Sequence, residues 1–252
     1  MTHTIQTYKN QRILGVIPAR LASTRLPRKV LRELAGEPLL AWVYRAALAC
    51  PGLTALVIAA DSNEVLDLCN SRNWPCVLTS PDLPSGTDRL HAVSQLPPWD
   101  DFSIYVNIQG DEPLLQPTHI TDLLSPFTRP AVDVTTLKVR CRPEDIANPN
   151  AVKVVTAADG RALYFSRATI PYDRDAAQPT YFKHLGLYAY RRDALTRFAA
   201  LPPSPLEQTE RLEQLRLLEN NINLYVTETT HDTIGVDTEA DLLRVEAILC
   251  QL

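Results

Sequence analysis

The chain has 252 residues, enough for one large α/β domain, or a main domain with a sizeable subdomain, whose core needs no staples. With 25 Lys and Arg against 29 Asp and Glu, the net charge of -4 provides no broad basic field, which argues against nucleic acid as the main partner and for a small anion. Five scattered cysteines (Cys50, Cys69, Cys76, Cys141, Cys250) without C-x-x-C spacing argue against a disulfide framework and a zinc site, and read as buried core thiols.

In chain order, the polar start MTHTIQTYKNQR leads into a strand-like ILGVIP (13–18), with no apolar signal region. No later run approaches the roughly 20 apolar residues of a membrane span, so a cytoplasmic protein without membrane insertion is expected. The first strand is followed by a basic loop within VIPARLASTRLPRKVL (16–31), which carries Arg20, Arg25, Arg28 and Lys29. Helical spacing at 38–50, 63–72 and 87–96 then alternates with short apolar strands at 55–60, 76–79 and 103–109. That alternation predicts an α/β fold with a mostly parallel sheet of Rossmann type, helices on both faces, and ligands at the carboxyl ends of the strands. An acidic turn, QGDEP (109–113), follows the fourth of these strands.

From about residue 130 the texture changes to an antiparallel ribbon, with Asp159-Gly160 as a hairpin turn. Residues 130–190 read as an inserted β-rich lobe within a single domain spanning 1–252. SPLEQTERLEQLRLLENN (204–221) reads as one helix whose Leu206, Leu212, Leu215 and Leu218 form a buried stripe, before a last strand (222–228) and helix (238–250).

Neither of the common glycine-rich phosphate fingerprints is present. Arg20, Arg25 and Lys29 with the Ser23 and Thr24 hydroxyls, between a strand end and a helix, suit a polyphosphate through charge-assisted hydrogen bonds; an ordinary solvated basic loop has the same composition. Asp111 and Glu112, pinned by Gly110 and Pro113, suit a hard cation such as Mg²⁺, although an exposed turn is equally acidic. Asp237 either completes that metal site or is a helix N-terminal acid favoured by the dipole.

The stretches IPARLASTRLPRK, SGTDRL, VNIQGDEP, NPNAVKVV, ALYFSRATIPYDRD, KHLGLYAYR, SPLEQTERLEQLR and GVDTEADLLRV, in this order, resemble the 3-deoxy-manno-octulosonate (KDO) cytidylyltransferases, a class of sugar nucleotidyltransferases. The resemblance implies a nucleotide-diphosphosugar-transferase fold, CTP and KDO as substrates, Mg²⁺ as cofactor, a homodimer, and formation of CMP-KDO and pyrophosphate for lipopolysaccharide biosynthesis. It implies that Arg20, Ser23, Arg25 and Lys29 hold the triphosphate, that Ser85, Gly86, Thr87, Arg89 and Gln109 line the cytidine pocket, and that Asp111 and Asp237 bind magnesium. Arg167, His184, Tyr188, Glu213 and Gln214 would form the KDO pocket. That set also suits a sugar acid on its chemistry: Arg167 forks onto a carboxylate, and the others supply donors and acceptors for hydroxyls.

The chain departs from the resemblance in two places. Relatives usually read Gly-Lys-Pro where this chain has Arg28-Lys29-Val30, and the segment 175–183 is short. No side-chain general base stands out. Rival readings are transfer to another acidic sugar (sialic acid or 8-amino-KDO), a guanylyl- or uridylyltransferase, and a catalytically silent sugar-nucleotide binding protein.

Overall fold

The computed structural model describes residues 11–22 and 25–251, so the expectations for Ser23 and Thr24 lie outside the described residues. The strands are β1 (Ile13–Ala19), β2 (Glu33–Leu34), β3 (Glu37–Pro38), β4 (Ala55–Ala60), β5 (Cys76–Leu78), β6 (Ile104–Asn107), β7 (Val134–Arg140), β8 (Lys153–Thr156), β9 (Ala162–Ser166), β10 (Phe182–Arg191) and β11 (Leu224–Glu228). The α-helices are α1 (Leu39–Leu48), α2 (Asn63–Ser71), α3 (Gly86–Ser94), α4 (Pro117–Leu124), α5 (Pro143–Ile146), α6 (Arg192–Ala199), α7 (Pro205–Glu210), α8 (Leu215–Glu219) and α9 (Glu239–Leu249). The described residues divide into two compact units, one of residues 11–121 with 233–251, the other of residues 122–232.

In the first unit β6, β1, β4 and β5 lie side by side, all parallel. β1 pairs on both edges and is buried on both faces, which is why it reads as an unbroken apolar run. The chain leaves β1 for β4 and β5 on one side and returns to β6 on the other. The carboxyl ends of β1 and β6 are therefore the topological switch point, where open α/β sheets bind ligands. The basic loop and the QGDEP turn leave from those two ends.

A hairpin the sequence reading did not foresee, β2–β3, follows the basic loop; Ala35 (φ 47°) and Gly36 (φ 77°) both take the left-handed conformation of a type I′ turn. Leu26 of the loop, Leu34 of the hairpin, Leu39 of α1, and Val236, Leu242 and Val245 near the C-terminus share one buried cluster. That cluster brings the last segment of the chain back beside the basic loop.

In the unit of residues 122–232, β7 pairs parallel with β11 and antiparallel with β10, while β8 and β9 form an antiparallel hairpin attached to β10. Gly160 (φ 89°) turns that hairpin. The single helix expected over 204–221 is two helices: α7 ends at Arg211, which is left-handed (φ 54°, ψ 48°), and α8 starts at Leu215. Leu212 and Leu215 are buried, but Leu206 is exposed, so the expected stripe is broken with the helix. The cysteines are all free; only Cys50 and Cys69 are buried, and Cys250 is exposed, which corrects the reading of five core thiols. No helix among the described residues is long and apolar enough to cross a membrane.

Candidate active site

The basic loop is held at both ends by backbone hydrogen bonds. Ala19 O accepts from Asp61 N at 3.2 Å, and the Asp61 carboxylate accepts from Leu21 N, so the residue after β4 fixes where the loop begins. Arg28 N donates to Leu21 O at 3.2 Å and closes it. Leu26 and Val30, on either side of Lys29 in the sequence, are buried, and the Lys29 side chain is 13 % exposed.

Arg28, where the resemblance leads to an expected glycine, is left-handed (φ 57°, ψ 31°). The loop thus keeps a glycine-like backbone with a side chain in it, and that side chain pairs with Glu64.

Lys29 Nζ lies 2.5 Å from Asp111 Oδ2 and 2.9 Å from Asp237 Oδ1, and Arg25 reaches Asp237 Oδ2 at 2.8 Å. Burial alone would pull the Lys29 ammonium down; Asp111 and then Asp237, by charge and hydrogen bond, outweigh it and hold Lys29 above the ordinary lysine range. Two backbone features set the carboxylates. A Cβ on Gly110 would stand 2.6 Å from Pro18 O, so only glycine lets the acidic turn approach the end of β1 so closely. Val236 N donates to Asp111 O at 2.9 Å, which ties the segment before Asp237 to the segment carrying Asp111. Glu112, expected to pair with Asp111 on a cation, is buried, so this part of the turn is not the solvated surface that was the alternative.

Asp237 directly precedes the N-cap of α9. Thr238 caps α9 and Asp241 completes the capping box, leaving the Asp237 carboxylate to Arg25 and Lys29.

The expected cytidine residues divide. The Ser85 hydroxyl is spent at the N-terminus of α3, accepting from Asp88 N and donating to the Asp88 carboxylate at 2.7 Å. Arg89 is fully buried, donates to Thr79 Oγ1 and to Ser80 O at 3.2 Å, and leaves Nε and one terminal nitrogen without partners. Burial lowers its guanidinium, which Asp61 opposes and Arg20 reinforces. Thr87 is buried and Gln109 half-buried. Arg20 is exposed, with one long contact to Pro84 O at 3.5 Å. Gly86 lies beside Asn107, whose amide is buried with Oδ1 unpartnered; no motif had singled Asn107 out.

The expected sugar residues all fall in the 122–232 unit. On β10 the ladder to β7 slips between Leu185 and Tyr188. The Thr136 hydroxyl fills that irregularity, lying 2.8 Å from Leu187 O, 3.1 Å from Leu185 O and 2.9 Å from His184 Nε2. With its proton directed to those carbonyls, the hydroxyl accepts from His184 Nε2–H, which leaves Nδ1 as the acceptor. Burial pushes the His184 imidazole down to about 3, so it is neutral and offers hydrogen bonds rather than charge. Its ring lies 5.4 Å from that of Tyr188, whose phenol is pushed well above its ordinary range by burial, then by Tyr190 and Glu213.

Arg167 is engaged by the protein. Its guanidinium donates to Glu210 O (2.8 Å), Pro149 O (3.0 Å) and Arg211 O (3.3 Å), and its backbone N–H reaches the Glu210 carboxylate at 3.0 Å. It therefore caps the end of α7 where the helix breaks, and the break turns the chain so that Glu213 and Gln214 precede α8. Gln214 is 6 % exposed and its Nε2 has no partner. Glu210, which also accepts from Ser166 Oγ at 2.6 Å, and Thr136 are the supporting residues missed by sequence reasoning; neither carries a motif signal apart from its neighbours.

The profile of the cytidylyltransferase family matches residues 14–228. The chain belongs to the cytidylyltransferase family. Within it, the 3-deoxy-manno-octulosonate cytidylyltransferase of Acidobacterium capsulatum is 64 % identical, covering 95 % of this chain and 97 % of that one. The enzyme of the same name from Koribacter versatilis is 57 % identical over 94 % of this chain and 89 % of its own length. The solved structure of a CMP:2-keto-3-deoxy-manno-octonic acid synthetase complexed with CTP superposes with a TM-score of 0.90 at 41 % identity, covering 95 % of this chain and 99 % of that one.

Proposed function

We propose that this cytidylyltransferase transfers CMP from CTP to the anomeric hydroxyl of KDO, forming CMP-KDO and pyrophosphate and so activating the sugar for lipopolysaccharide assembly. The observation that carries the reading is the convergence of Lys29 and Arg25 with Asp111 and Asp237 at the switch point of the parallel sheet, in a chain 64 % identical to an enzyme named for this activity.

Arg20, Arg25 and Lys29 are read as the groups that neutralise the triphosphate and the charge that grows on departing pyrophosphate. Two carboxylates that meet on one ammonium also fit a divalent cation: Asp111 and Asp237 would hold Mg²⁺ through their hard oxygens. When bound there, Mg²⁺ would supply Lewis-acid polarisation of phosphate oxygen. On the sugar side, neutral His184 accepts at Nδ1, Gln214 donates from its unpartnered Nε2, and Tyr188 and Glu213 bind hydroxyls. Arg167 contributes the remaining N–H donors of a guanidinium already anchored to three carbonyls.

The reading includes a homodimer in the cytoplasm, with residues 130–190 contributing to sugar binding and association; exposed Leu163 and Tyr172 on that stretch support the association. The experiment is pyrophosphate release from CTP and Mg²⁺ with and without KDO, with chromatographic identification of the nucleotide product. KDO-dependent release of CMP-KDO is expected. Release with only sialic acid or 8-amino-KDO transfers the assignment to that sugar, and silence with every acceptor moves it to a binding protein.

A further inference from the structure

Lys29 stands where the proposed function puts a metal. Its ammonium is within hydrogen-bonding distance of both Asp111 and Asp237, and Arg25 takes the second oxygen of Asp237. Two carboxylates against two cations make the cluster electroneutral without any added ion. A divalent cation entering it would meet an ammonium already in contact with both of its intended ligands.

Lys29 also has little to move to. It opens a short 3-10 turn (Lys29–Leu31) between two buried apolar anchors, Leu26 and Val30, and leaving the carboxylates would strand a largely buried charge. A triphosphate changes that balance, because it offers the ammonium a new anionic partner while its own oxygens complete a metal shell. Arg25, the more exposed partner, is released in the same exchange.

We infer that Lys29 is a placeholder counter-ion for the metal in the nucleotide-free protein, and that its transfer from Asp111 and Asp237 to the triphosphate couples metal binding to nucleotide binding. The inference rests on the reading of Asp111 and Asp237 as metal ligands. Because such coupling is reciprocal, nucleotide raises metal affinity and metal raises nucleotide affinity by the same factor. Its distinctive consequence is that removing a cation expected to serve the nucleotide improves metal binding when no nucleotide is present.

The test is titration of nucleotide-free protein with Mn²⁺, with free ion followed by electron paramagnetic resonance. Wild type, Lys29→Met and Lys29→Gln are compared, each checked for folding by circular dichroism, and Asp111→Asn is added to each. The expected result is at least about tenfold tighter Mn²⁺ binding by both lysine variants than by wild type, abolished by Asp111→Asn. Equal or weaker binding by the folded lysine variants, still abolished by Asp111→Asn, overturns the placeholder and leaves the metal site standing. Binding that ignores Asp111→Asn, or none in any folded protein, overturns the metal site and the placeholder with it.

Discussion

Arg28 offers a direct measure of what the basic loop costs to form. Its backbone is left-handed (φ 57°, ψ 31°), a conformation that glycine adopts freely and that disfavours a residue with a Cβ by about 1 kcal/mol or more. The compensating contact is the Arg28–Glu64 pair, with both side chains about half exposed, and such pairs contribute roughly 0–1 kcal/mol. Arg28→Ala removes the pair and keeps the backbone penalty; Arg28→Gly removes both. The Gly variant should therefore be the more stable of the two by about 1 kcal/mol, a difference that survives glycine's larger unfolded-state entropy because a Cβ at positive φ is the greater penalty. In a chain of this size that corresponds to a difference in Tm of about 2–4 °C. Thermal unfolding followed by circular dichroism reads it, and urea midpoints give an independent value. Equal stability of the Gly and Ala variants, or a more stable Ala, would refute a left-handed Arg28.

Gly110→Ala puts a methyl 2.6 Å from the Pro18 carbonyl, so the acidic turn must retreat; a displacement approaching 1 Å at Asp111 should lower kcat by about 10²-fold, and wild-type kcat would mean the close approach is dispensable. Asp111→Asn keeps the shape and removes the charge, and turnover should fall by about 10²–10³-fold in a protein with an unchanged circular dichroism spectrum; near-normal turnover sinks its role. Arg167→Lys keeps the charge but not the three-carbonyl clasp, so it should destabilise by about 1–3 kcal/mol in urea as well as raise the KM for KDO; unchanged stability would show the clasp to be unimportant. His184 titrates near 3 in the fold against about 6.5 when unfolded, so the unfolded chain binds the extra proton between those values and stability drops as pH falls through that window. The loss at about pH 5 relative to neutrality should be about 2 kcal/mol and absent from His184→Gln; parallel acid curves for the two would remove the burial argument.

The alternation of ILGVIP, ALVIAA, CVLT and SIYVNIQ with amphipathic helices made the parallel sheet legible; β1 and β4 throughout, and β6 up to Asn107, are apolar because they are buried on both faces, whereas β5 is a partly exposed edge. The helix over 204–221 misled because its apolar spacing is helical; it breaks at left-handed Arg211, whose carbonyl, with that of Glu210, is taken by Arg167, 44 residues away. His184 and Tyr188 looked like two positions on one face of a regular strand, yet the ladder slips between them and Thr136 from another strand holds the irregularity. Ser85, expected at the cytidine pocket, caps α3 through Asp88, a use that any Ser three residues before Asp permits and that only the structure shows.

The sequence by itself determined the alternation of strand and helix from β1 to β6, the placement of charge at strand ends and the membership of the chain in its family, because periodicity and motif spacing are local properties. Only the tertiary structure decided which cation meets which carboxylate. Lys29 is 82 residues from Asp111 and 208 from Asp237, and their meeting depends on two strand ends converging at the switch point, on Gly110 having no side chain, and on a buried apolar cluster that folds the end of the chain back onto its beginning.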